Sequence, residues 1–77
     1  AALERHHWIQ SQAAMDLGVS FYLLGQVHRA ATQYPEARAW FRKALDQLRR
    51  LEDQGKLPPA KKVWLTTVEK EMNALPR

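Results

Sequence analysis

A chain of 77 residues with 12 Lys and Arg against 8 Asp and Glu and no Cys has room for one small domain, 1–77, and no disulfide to staple it. A domain of this size buries only about 60% of the surface its unfolded chain exposes, so its core must be packed closely or completed by another chain. No stretch approaches the roughly 20 apolar residues that span a bilayer, and Ala1-Ala2-Leu3-Glu4-Arg5 lacks the basic-then-apolar layout of a secretory signal, so a soluble, cytoplasmic protein with no membrane partner is expected. The missing initiator Met points to a trimmed or excised piece of something longer.

Strand-type alternation is absent, and the breaks fall at Tyr34-Pro35 and from Gln54 to Pro59. The chain therefore reads as all-α, with helices at about 3–32, 35–54 and 59–75. In the first, Ala13, Leu17, Phe21 (or Ser20), Leu24, Val27 (or His28) and Ala31 keep helical register, with Trp8 and Ile9 upstream. Gly18 and Gly25 interrupt it. Each costs about 1 kcal/mol against Ala inside a helix, so two of them seven residues apart on one face imply a neighbour packed close to the backbone. The second segment carries one continuous apolar stripe, Tyr34, Ala37, Phe41, Ala44, Leu48 and Leu51, widened by Trp40 and Leu45. Pro35 and Glu36 suit its first turn, Arg49 and Arg50 its negative end, and Gly55 its closure. In the third, the extended Pro58-Pro59-Ala60 leads into Val63, Trp64, Val68, Met72 and Leu75 at helical spacing.

Leu17-Gly18, Phe21, Gly25, Tyr34, Ala37, Phe41 and Ala44-Leu45 together resemble one tetratricopeptide repeat, a helix-turn-helix unit of about 34 residues. The resemblance covers roughly 14–51. In that register the chain carries about seven residues more between Gly25 and Tyr34 than the family's turn allows. Seven residues are about two helical turns and would lengthen the first helix without rotating its apolar face. The family's terminal proline is absent, with Arg49 and Arg50 in its place. The resemblance implies an antiparallel helix-turn-helix with a third, C-terminal capping helix, acting as a protein–protein interaction or assembly module. Carried over by register, the partner-binding groove would be Gln12, Met15, Val19 and Tyr22. These are mostly apolar, which argues for an amphipathic helix or peptide as ligand and not for a clamped terminal carboxylate. The competing reading is that the third helix simply covers Met15, Val19 and Tyr22.

A lone hairpin cannot bury its apolar faces, so either the third helix closes a bundle or the chain self-associates. Trp8, Trp40 and Trp64 lie one in each helix and serve equally as core fillers or interface anchors. Trp40, beside its helix's main stripe, is the candidate anchor. The net charge of +4 makes a basic module contacting nucleic acid the alternative, with Arg38, Arg42, Arg49, Lys43, Arg50 and Lys56 expected on the outward side of the second helix. Asp46, Glu52 and Asp53 interrupt that surface, so a solvated face is preferred and nucleic acid is not the expected partner. No hydroxyl is spaced to a His and an Asp as an activated nucleophile would be, and no cofactor motif is present, so no catalytic residue is assigned. His6 and His7 point about 100° apart on a helix, which does not make a metal pair.

Overall fold

The computed structural model describes residues 2–76, with side chains from Gln12 onward. The fold is all-α with three helices: α1 (Ala2–Ala30), α2 (Tyr34–Asp53) and α3 (Val63–Asn73), the last preceded by a single 3-10 turn, Pro59–Lys61. Trp8, His6, His7 and Ile9 have side chains outside the described residues.

The two longer helices end in the same way. Gly55, at φ 70°, closes α2: its N–H donates to the Glu52 carbonyl and the Lys56 N–H to the Leu51 carbonyl, which satisfies carbonyls that the helix leaves orphaned. At the end of α1 the equivalent bonds run from the Thr32 N–H to Arg29 and from the Gln33 N–H to His28. Here Thr32, not glycine, takes the left-handed conformation, at φ 60°. The first helix thus stops two residues before the expected 32, at a position where no Gly, Pro or Asn announces the turn. The third begins as an α-helix four residues later than the expected 59. The Lys61 and Lys62 N–H groups bond to the Pro58 and Pro59 carbonyls in the tighter 3-10 pattern, and Pro58 itself is extended at ψ 145°.

The buried core is built chiefly from α2: Ala37, Phe41, Ala44, Leu45, Leu48 and Leu51. Met15 joins it from α1, Leu57 from the connection, Val68 from α3, and Leu75 from just beyond the end of α3, which stops at Asn73. The α2 stripe read from the sequence is thus the buried one, with Tyr34 half-buried at its edge. What α1 offers in return is mostly a hole. A Cβ on Gly25 would lie 2.5 Å from two ring carbons of Phe41, and one on Gly18 would lie 3.2 Å from a Leu48 methyl. Moving seven residues back along α1 matches moving seven forward along α2, so the helices run antiparallel with two large side chains seated on two glycines.

That register corrects the apolar stripe expected on α1. Leu17 is 46% exposed, Leu24 38% and Val27 63%, and Ala13 and Ala31 are exposed as well. Successive helical residues rotate by about 100°, so a stripe passing through Leu17 and Leu24 lies on the flank of the face that Gly18 and Gly25 present. Phe21 bridges the two, packed against the core from that flank. With Gly18 level with Leu48, the first turns of α1 run on past the end of α2, and the molecule is elongated at 48 × 18 × 15 Å.

A candidate docking cleft between the first and third helices

On the opposite flank of α1, Gln12, Met15, Asp16 and Val19 recur at spacings of three and four and so form one ridge two turns long. Gly55 turns the chain back after α2, buried Leu57 pins the connection to the core, and extended Pro58 carries it alongside this ridge. The result is a cleft of about 280 Å³ walled by those four residues on one side and by Lys56, Pro58, Lys61 and Trp64 on the other. Met15, only 9% exposed, forms its floor. The amide of Gln12 donates to Asp16 Oδ1 at 3.3 Å on its rim.

Three of the four groove residues read from the sequence, Gln12, Met15 and Val19, therefore line one cleft. Tyr22 does not. Its ring lies 5.3 Å from that of Trp64, edge to face, and 5.7 Å from that of Phe41, while Gln26 Nε2 donates to its hydroxyl at 2.7 Å. Tyr22 is the half-buried link that joins all three helices, and α3 covers it through Trp64. The two readings of this face divide along the helix: α3 covers Tyr22, Met15 is buried in the core and Val19 half-buried against it, and Gln12 and Asp16 stay exposed on the rim. Asp16, Lys56, Pro58, Lys61 and Trp64 escaped the sequence reading as a group because only the returning connection brings them together. The Pro58-Pro59 pair was the available signal.

Trp40 sits on the other side of the hairpin. Its ring lies 5.8 Å from Phe21 and 6.2 Å from His28, and Lys43 Nζ stands 4.7 Å above it, within cation–π range. It is half-buried and belongs to an uncovered apolar flank with Leu17, Phe21 and Leu24. A shallow depression there is lined by Leu17, Phe21, Lys43, Asp46, Gln47 and Arg50. His28 is held by its own helix, with Nδ1 2.8 Å from the Leu24 carbonyl.

The basic residues of α2 do not share one outward side. Arg38 and Arg42 face the end of α3 beside Met72, Asn73 and Leu75, and Arg38 donates to the Pro76 carbonyl at 3.3 Å. Arg49 approaches Glu69 on α3 at 4.0 Å. Lys43 and Arg50 lie on the Trp40 flank. The difference from the sequence reading comes from α3, whose docking position divides the outer surface of α2 into two edges. Between α1 and α3, Arg29 Nη1 donates to Glu71 at 2.7 Å. Among the described residues no three metal-ligating side chains converge.

The class these observations define is an all-α protein of three helices. No protein-family model matches the chain, and no curated protein or solved structure matches it either. Among the described residues, no helix is long and apolar enough to cross a membrane.

Proposed function

We propose that the chain is a protein–protein interaction or assembly module built on a single tetratricopeptide-like hairpin, with α3 as its cap and the Met15–Val19–Trp64 cleft as its docking groove. The observation that carries the reading is the cleft itself, a trough beside an α-helical ridge in which Met15, Val19, Pro58 and Trp64 are flanked by Gln12, Asp16, Lys56 and Lys61. Supporting the family resemblance is a register seven residues from the one the sequence first offers. Phe21, Leu24, Gly25 and His28 occupy the aromatic, Leu, Gly and Tyr places of the family's first helix, and Ala37 and Phe41 the Ala and Phe of its second. In this register no surplus residues remain in the turn, and the Gly25–Phe41 contact joins the two halves; the family's groove places move with it to Val19, Tyr22, Gln26 and Arg29, so the cleft stands as a groove on its own geometry and not on the resemblance. Phe21 and His28 depart from the pattern in type while remaining aromatic.

A second role, self-association, is supported by the uncovered flank of Leu17, Phe21, Leu24 and Trp40. The division of the basic side chains between two edges of α2 makes nucleic acid the less favoured partner.

The groove is tested by selecting peptides from a displayed random library on the wild-type chain and counter-selecting on Val19→Glu, a half-buried position packed against the core, with circular dichroism and melting confirming that the variant keeps its fold. Peptides that bind the wild type and not the variant are expected. Enriched peptides that bind both equally would refute the groove.

A further inference from the structure

The charges around the cleft are one-sided. Lys56 and Lys61 line it and exposed Lys62 follows, while the first turn of α3 contains no acidic residue. Among the described residues Asp16 is the one carboxylate in the lining, and it already accepts a hydrogen bond from Gln12. Neither Lys56 nor Lys61 is paired with a carboxylate among the described residues. The cations stand beside Pro58 and Trp64 on the wall opposite α1, facing the Met15 and Val19 side.

We infer that the occupant of this cleft is an acidic amphipathic helix of a partner protein, a deduction that rests on the groove reading above and adds the partner's chemistry to it. The ridge from Gln12 to Val19 is about 10 Å long, which suits two apolar anchors one helical turn apart. The volume, about 280 Å³, is roughly twice that of a cavity that holds benzene and so takes two such anchors. With those anchors seated, carboxylates on the flank of the bound helix that faces the 3-10 turn meet the ammonium groups of Lys56 and Lys61. A basic helix with the same anchors meets two like charges there instead, so the lysines act as a selectivity filter more than as a source of affinity.

The test uses two short fluorescein-labelled helical peptides with an identical Leu/Phe stripe, one flanked by Glu and one by Lys, titrated against the full chain and followed by anisotropy. The Glu peptide is expected to bind about tenfold more tightly than the Lys peptide at low salt, with the preference shrinking as salt rises. In the Lys56→Glu/Lys61→Glu chain the preference should reverse, with circular dichroism confirming an unchanged helical fold. Equal binding of the two peptides, both lost in Val19→Glu, would overturn the acidic partner and leave the groove standing. Binding of neither would overturn both. A labelled DNA duplex that outcompetes the Glu peptide and depends on the same two lysines would overturn the assignment to a protein helix.

Discussion

Replacing Gly25 by Ala places a methyl carbon 2.5 Å from Cδ1 and Cε1 of Phe41 and 3.1 Å from Cγ. Carbon atoms rest at about 3.5–4.0 Å, so the ring must retreat by about 1 Å. Phe41 is fully buried, so its ring can retreat only by displacing other core side chains. Overpacking of this kind costs about 1–3 kcal/mol, and the better helix propensity of Ala offsets about 1 kcal/mol of it, leaving a net loss of up to about 2 kcal/mol. Gly18 is the internal control. There the added methyl would lie 3.2 Å from a terminal methyl of Leu48, a few tenths of an ångström too close to a side chain that can rotate. The same propensity gain should then leave Gly18→Ala neutral or more stable by about 0.5 kcal/mol. A gap of up to about 2 kcal/mol between two glycine-to-alanine variants of one helix corresponds to about 4–8 °C in melting temperature per kcal/mol for a domain of this size. Thermal and urea melts read it directly. Phe41→Leu should cost less in the Gly25→Ala background than in the wild type, because the two changes relieve each other. Gly25→Ala melting at or above the wild type, or the two glycine variants melting together, would refute the antiparallel register on which the fold rests.

Thr32→Gly should raise stability by about 0.5–1 kcal/mol, because a β-branched residue at φ 60° gives way to the residue that adopts this conformation freely; an unchanged or lower urea midpoint would contradict the left-handed closure of α1. Tyr22→Ala should destabilise the fold by about 1–3 kcal/mol by removing two ring contacts, each worth about 0.5–1.5 kcal/mol, and near-ultraviolet circular dichroism should report the altered surroundings of Trp64. Loss of binding with unchanged melting would instead put Tyr22 in the groove. Leu17→Lys/Leu24→Lys changes two exposed positions, so it should leave melting of the dilute chain within about 1 kcal/mol while lowering any self-association seen by light scattering of the wild type. Persistence of the oligomer would exclude that flank as its interface. Arg29→Ala should cost about 0.5 kcal/mol at low salt and less at high salt, as its pairing with Glu71 is half-exposed; a salt-independent cost in urea melts would point to packing by its aliphatic stem.

The second helix was legible because its burial is one-sided and uninterrupted. Ala37, Phe41, Ala44, Leu48 and Leu51 can only point one way, and Pro35 and Gly55 mark its ends by conformational rules that hold in any context. The first helix was legible as a helix but not by face. Leu17, Leu24 and Val27 carry more apolar surface than Gly18 and Gly25, so a periodicity reading follows the leucines, whereas the packed face is the one where side chains are missing. The two glycines did announce a close neighbour, and Phe41 supplies it. Thr32 was invisible as a turn because its conformation is imposed by the bonds from Thr32 and Gln33 back to Arg29 and His28, against its own preference. The cleft was legible on one wall only: Gln12, Met15 and Val19 follow from register along α1, but Lys56, Lys61 and Trp64 join them only once Leu57 has anchored the connection. Tyr22 looked like groove by the same register and is claimed by Trp64, a contact between residues far apart in sequence that no local pattern encodes.

The most direct measurement of the docking account is a ¹⁵N–¹H correlation spectrum of the chain titrated with the Glu-flanked peptide. Shifts concentrated on the amides of Gln12, Met15, Asp16, Val19, Lys56 and Lys61 and on the Trp64 indole, with Lys43, Asp46 and Arg50 unmoved, are the expected result. Shifts centred instead on Leu17, Trp40 and Lys43, or spread along Arg38 and Arg42, would place the partner elsewhere and contradict the cleft between α1 and α3.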